Sequence, residues 1–133
     1  KLISKQTDYK VGEFKHSLVD AHIYCGKGKR SQWYQNNISE LQEKIQNVSK
    51  KSDYKKIRSW ILKNAPSDPD EKQEEHNYGS DHIPGLLEQM SREPLGRSEL
   101  DISDGVGIDS ATYDDFELKN YESHGGIRFS VAE

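Results

Sequence analysis

Gly12-Glu13-Phe14-Lys15-His16-Ser17-Leu18-Val19-Asp20-Ala21-His22-Ile23-Tyr24 precedes a glycine- and lysine-rich stretch that opens at Gly26. Phe14, Leu18, Ala21 and Ile23 are its apolar members and alternate in part with polar residues, while Val19, Ile23 and Tyr24 favour extended backbone. The pattern predicts a strand over residues 13–24. Its imperfect period fits a strand with a bulge, or one buried on both faces. His22 and Tyr24 stand two apart, so on a strand their side chains share one side and can converge on a single hydroxyl.

Before this stretch, residues 1–6 read as the end of a helix. After it, Gly26-Lys27-Gly28-Lys29 is a flexible connection that lacks the spacing and the Lys-Ser/Thr ending of a phosphate loop. Ile38, Leu41, Ile45 and Val48 then recur every three or four residues, which predicts an amphipathic helix capped by Asn37 or Ser39. A second helix is expected from a cap at Ser52 or Asp53, with Ile57, Trp60 and Ile61 on one face, ending near Asn64 before Pro66. The two helices make a hairpin.

Residues 67–80 are rich in Pro, Asp and Glu and read as an exposed acidic linker. Ile83, Leu86, Leu87 and Met90 predict a short helix stopped by Pro94 and Gly96. Beyond it Leu100 and Ile102 suggest a brief strand, Gly105 and Gly107 a turn, and Asp109 a cap for one helical turn. Residues 116–121 and 127–131 read as two late strands. The fold class expected is α/β, in the sense of mixed α+β.

Bulk properties set limits on what the chain can be. Hydrophobic residues are 32% of its 133, as are charged ones, so the core is small for the length. No apolar run reaches the roughly 20 residues needed to span a bilayer, and no secretory leader is visible. A soluble, cytoplasmic protein is expected. Cys25 is the one cysteine, so no internal disulfide can form. His76 and His82 lie near carboxylates but form no recognisable metal motif. The net charge of -4 conceals a basic middle: residues 26–64 carry Lys27, Lys29, Arg30, Lys44, Lys50, Lys51, Lys55, Lys56, Arg58 and Lys63 against Glu40, Glu43 and Asp53. The first residue is Lys1 and the one methionine is Met90, so we read the chain as part of something longer.

Three stretches in order carry a family resemblance. Residues 12–24 are similar to a segment in which Gly-Asp/Glu-Phe runs into Asp-Ala/Thr-His-Ile/Leu-Tyr. His82-Ile83, followed by Leu87-Glu88-Gln89-Met90-Ser91-Arg92-Glu93-Pro94, resembles a helix ending in Arg-Glu-Pro. Asp115-Phe116, Tyr121, His124, Ile127 and Val131-Ala132 resemble a closing Asp-Phe, Tyr-x-Pro-His-Pro-x-Ile-Lys and Val-Ala pattern. Together they look like the C-terminal portion of the thymidylate synthase and deoxypyrimidine nucleotide hydroxymethylase family. On this reading residues 1–24 and 81–133 are the thymidylate synthase-like region. Residues 25–66 form a basic helical insertion, and 67–80 an acidic linker.

The resemblance implies the chemistry. The parent enzyme would transfer a one-carbon unit from 5,10-methylenetetrahydrofolate to C5 of a deoxypyrimidine monophosphate, dUMP foremost, as a homodimer. His22 and Tyr24 would donate hydrogen bonds to the nucleotide 3'-hydroxyl, and Ala132 would touch the folate. The cysteine nucleophile, the phosphate-binding arginines and the asparagine that reads the pyrimidine belong to the remainder of the same protein. Uracil and cytosine substrates, and methyl and hydroxymethyl products, are therefore not separated by these residues. Cys25 has no identifiable activating base and is not assigned as catalytic. The isolated chain is expected to be inactive. Gly125 and Gly126 stand where the family has prolines, and Glu133 where it ends on a small apolar residue, so closure over the folate is expected to be altered.

A different class of function stays open beside this one. Lysines and arginines interleaved with Trp33, Tyr34 and Trp60 could bind phosphate backbones and stack on bases. The chain would then be a non-catalytic nucleotide- or nucleic-acid-binding module on the same scaffold.

Overall fold

The computed structural model describes residues 2–67 and 76–131. Among the described residues, five helices are followed by a two-stranded antiparallel sheet: α1 (Leu2–Gln6), α2 (Lys29–Asn36), α3 (Ile38–Gln46), α4 (Lys51–Asn64), α5 (His82–Ser91), β1 (Glu99–Ile102) and β2 (Phe116–Lys119), with a 3-10 turn at Tyr113–Asp115. The mixed class expected from the sequence holds. The chain divides into two compact units, Lys1–Asp20 with Pro94–His124, and Ala21–Glu93 with Gly125–Glu133.

The second unit is helical. Tyr34 of α2, Leu41 of α3, Ile57 and Ile61 of α4 and Leu87 of α5 are its buried core, with Trp33, Val48, Tyr54, Trp60 and Ile83 packed around them. The three- and four-residue spacing of these apolar positions gives each helix one face to bury. The helix expected after Asn37 is α3. The next helix begins one residue before the expected cap. Asp53 sits in the first turn of α4, where its carboxylate accepts the backbone N–H groups of Lys50 at 3.2 Å and Ser49 at 3.3 Å. Pro66 excludes helical backbone at Ala65, and α4 stops at Asn64. In α5 the buried face is Pro84, Leu87, Glu88 and Ser91, while Met90, expected inside, is 49% exposed. Charge is buried on α5 because partners await it.

The backbone departs from the sequence expectations in several places. Lys29, read as the end of a connection, opens helix α2, an element the sequence reading did not assign and whose buried members are Arg30 and Tyr34. Residues 9–24, expected to hold a strand, carry no regular element, and Phe14, Leu18 and Val19 are exposed. A strand exists only against another backbone, and pairing begins at the Cys25–Asp81 bridge. The late strand at 127–131 is likewise reduced to a parallel bridge between Asn77 and Arg128, extended by Ser130 N–H to the Gly79 carbonyl at 2.7 Å.

The first unit is built on β1 and β2, in the register Glu99–Lys119, Leu100–Leu118, Asp101–Glu117 and Ile102–Phe116. Lys5 of α1 reaches this hairpin, donating to the Ile102 carbonyl at 2.5 Å and pairing with Asp104 at 3.0 Å. Asp115, rather than Asp109, closes the helical turn, taking the Thr112 N–H and hydroxyl at 2.8 Å each.

Candidate functional site

His22 and Tyr24 remain neighbours although their segment is not a strand: their rings lie 6.2 Å apart at 40°. What fixes Tyr24 is a short antiparallel pairing. The His82 N–H donates to the Tyr24 carbonyl at 2.9 Å, and the Gly26 N–H donates to the Ser80 carbonyl at 3.0 Å. The Tyr24 ring meets the His82 ring edge-on at 5.1 Å, and His82 in turn packs on Phe129 at 4.7 Å. A row of rings, His22–Tyr24–His82–Phe129, thus runs across the second unit.

The hydrogen bonds of His82 select its tautomer. Nδ1 faces the Tyr24 N–H at 3.5 Å and can only accept it, which leaves the proton on Nε2, 3.0 Å from the Ser130 carbonyl. The imidazole ties Tyr24 to Ser130. Phe129 needs Gly85 beneath it, since a Cβ there would lie 2.4 Å from the Phe129 ring and 2.9 Å from that of Tyr78. Any side chain on Gly85 would push the end of the ring row outward.

Two buried charge clusters flank the row, and neither was singled out in the sequence. In the first, the Asp81 carboxylate accepts Arg30 Nε at 2.7 Å and the Tyr34 hydroxyl at 2.8 Å, and its other oxygen caps α5 through the Ile83 N–H at 3.1 Å. Arg30, Tyr34 and Asp81 are 3%, 4% and 1% exposed. Burial pushes the Asp81 carboxyl up, opposed by Tyr34 and Arg30; burial and the adjoining carboxylate push the Tyr34 hydroxyl up as well. In the second cluster Glu88 receives the Tyr78 hydroxyl, His76 Nδ1 at 2.8 Å and Arg92 at 2.7 Å, while Arg58 donates to Tyr78 through Nε at 2.8 Å. Burial raises the Glu88 carboxyl, but the bonds from Tyr78, His76 and Arg92 outweigh it and hold it at about 2. Tyr78 is pushed up to about 12 by burial and by Glu88. A four-residue spacing, Arg30–Tyr34 and Glu88–Arg92, was the signal available for both clusters.

The other residues considered from the sequence fall as follows. Ala132 lies outside the described residues, as does most of the expected acidic linker, residues 68–75. Cys25 is half-buried with Sγ 3.6 Å from the Ser31 hydroxyl. Among the described residues no group of three or more His, Cys, Asp or Glu is placed to hold a metal ion. No described helix is long and apolar enough to cross a membrane.

Comparison with known proteins bears on the whole chain. No solved structure matches it. A thymidylate synthase of Haloferax volcanii is 40% identical over 132 residues, which are 99% of this chain and 37% of that protein. The chain therefore spans little more than a third of that relative's length. The thymidylate synthase family pattern matches residues 1–133, running through the helical segment as well as the motifs on either side of it. With that pattern matched from end to end, the chain belongs to the thymidylate synthase family.

Proposed function

We propose that the protein of which this chain is part transfers a one-carbon unit from 5,10-methylenetetrahydrofolate to C5 of dUMP, and that His22 and Tyr24 hold the nucleotide's 3'-hydroxyl. The observation that carries this reading is the adjacency of the two rings, with Tyr24 pinned by His82, in a chain of this family. His22 is exposed and Tyr24 half-buried, so the pair can reach a ligand while one member stays anchored. A phenol and an imidazole both donate hydrogen bonds, and two donors converging on one hydroxyl discriminate strongly against a nucleotide that lacks it.

The folate enters as the one-carbon donor; the contact assigned to it, Ala132, is outside the described residues. The nucleophile that attacks C6 is supplied by the remainder of the protein, because Cys25 faces Ser31 rather than a base. The protein works as a homodimer in the cytoplasm, and its product is the methylated rather than the hydroxymethylated nucleotide.

The test is steady-state kinetics of the full-length protein with dUMP, with the product identified by mass. His22→Ala and Tyr24→Phe should each raise KM for dUMP by about tenfold, the worth of one hydrogen bond in a desolvated site. Unchanged KM in both variants would remove the assignment, and a hydroxymethyl product would move the enzyme to the sister activity.

The nucleic-acid-binding reading draws less support. Lys51 pairs with Glu93 at 2.7 Å and Lys56 with Asp53 at 2.8 Å, while Trp33 and Trp60 pack on one another at 5.2 Å. Lys44 lies over the Trp60 ring at 4.7 Å. These charges and rings are largely engaged within the chain. Salt-sensitive binding of single-stranded DNA, lost on neutralising Lys50, Lys51, Lys55 and Lys56, would restore that reading.

A further inference from the structure

We infer that α2 is a positioning element for the nucleotide contact, with Arg30 and Tyr34 acting on Tyr24 through Asp81; this rests on the reading of His22 and Tyr24 given above. Asp81 is the pivot because it belongs to three structures at once. Its side chain is gripped by Arg30 at 2.7 Å and Tyr34 at 2.8 Å. Its second oxygen caps α5 through Ile83 at 3.1 Å. Its backbone pairs with Cys25, between the hydrogen bonds that Ser80 makes to Gly26 and His82 makes to Tyr24.

Residues 24–26 are extended against 80–82, whereas residues 9–23 have no ladder of their own. The direction of the Tyr24 side chain is therefore set by where 80–82 lie. That position is set in turn by the buried grip of α2. Arg30 and Tyr34 are one turn apart and so share a face of α2. Arg30 is itself anchored by Nη1 on the Pro66 carbonyl at 2.6 Å, just beyond the end of α4. A carboxylate so buried has no water to replace a lost partner, and weakening the grip must move Asp81 toward solvent. The pairing with residues 24–26 would move with it. On this inference the helical segment after Tyr24 serves the site rather than decorating it.

A purely structural clamp makes a different prediction from a positioning one. Losing folded protein lowers kcat in proportion for every substrate and leaves KM untouched. Misplacing Tyr24 instead erodes the preference for a 3'-hydroxyl. The experiment compares dUMP with 2',3'-dideoxyuridine 5'-monophosphate on the full-length protein, using Tyr34→Phe, which removes only the hydroxyl donor to Asp81. The preference, read as the ratio of KM values, is expected to fall by about three- to tenfold, the effect of one ordinary hydrogen bond. In a Tyr24→Phe background the same change should add almost nothing, because both act on one contact. Should Tyr34→Phe fail to fold, Asp81→Asn keeps an acceptor for Ile83 while giving up the charge on Arg30, and should lower the ratio in the same way. If the wild type shows no preference, the reading of His22 and Tyr24 fails and the inference falls with it. If the wild type prefers dUMP and both variants keep that preference while losing only kcat, the positioning role alone is overturned.

Discussion

Glu88 shows how a single residue can carry a measurable pH dependence. Its carboxyl is held at about 2 in the folded chain, against an ordinary value of 4.5, because Tyr78, His76 and Arg92 donate to it more than burial takes away. The folded value is the lower one, so this stabilisation is complete above about pH 4.5 and is lost as pH falls toward 2. A displacement of that size corresponds to about 3 kcal/mol. Glu88→Gln should therefore melt well below the wild type at neutral pH, and the two melting curves should converge on acidification. Parallel curves from about pH 5 to about pH 2 would show that Glu88 is not the group responsible. Gln fits the site in size and still accepts a bond from Tyr78. It cannot replace the charge that Arg92 and His76 address.

Among the elements, α3, α4 and α5 were legible because apolar residues recur along them at the helical period. Leu41, Ile57, Ile61 and Leu87 meet as that period requires. α2 was not legible for the opposite reason, since its buried positions are Arg30 and Tyr34, and no hydrophobic stripe announces a face made of a guanidinium and a phenol. Nothing in local sequence says that Asp81, 51 residues from Arg30, will neutralise it. The stretch at 13–24 has the residues of a strand, but a strand is a property of a pair, and periodicity along one chain does not supply the second member. His22 and Tyr24 could be singled out from their spacing and family pattern. His82, which holds Tyr24 in place, and Phe129, which packs on His82, are distant in sequence. The core of the helical unit is testable at Ile61, which is fully buried. Ile61→Ala should cost about 3 kcal/mol in denaturant unfolding with the slope unchanged. A cost below about 1 kcal/mol would mean that α3, α4 and α5 close over the vacated volume.

For the whole molecule the decisive question is which parts of the reaction these residues can perform. The described structure offers two hydrogen-bond donors at Tyr24 and His22, and a buried apparatus that holds one of them, but no activated nucleophile. Cys25 is the one thiol, and its neighbour is the Ser31 hydroxyl at 3.6 Å, which can neither take the thiol proton nor stabilise a thiolate by charge. Attack on C6 of the pyrimidine needs a thiolate, and loss of a true nucleophile costs on the order of a thousandfold or more in rate. Cys25→Ser in the full-length protein should accordingly leave kcat within about twofold. The 133-residue chain alone, given dUMP and methylenetetrahydrofolate, should form no product. The two measurements constrain one another. Turnover by the isolated chain that disappears on replacing Cys25 would make that cysteine the nucleophile and this segment an enzyme in its own right. Turnover that survives the replacement would require chemistry without a thiol. An inactive chain, with full-length activity indifferent to Cys25, is the outcome the proposal expects, in which these residues would grip the sugar while another part of the protein attacks the base.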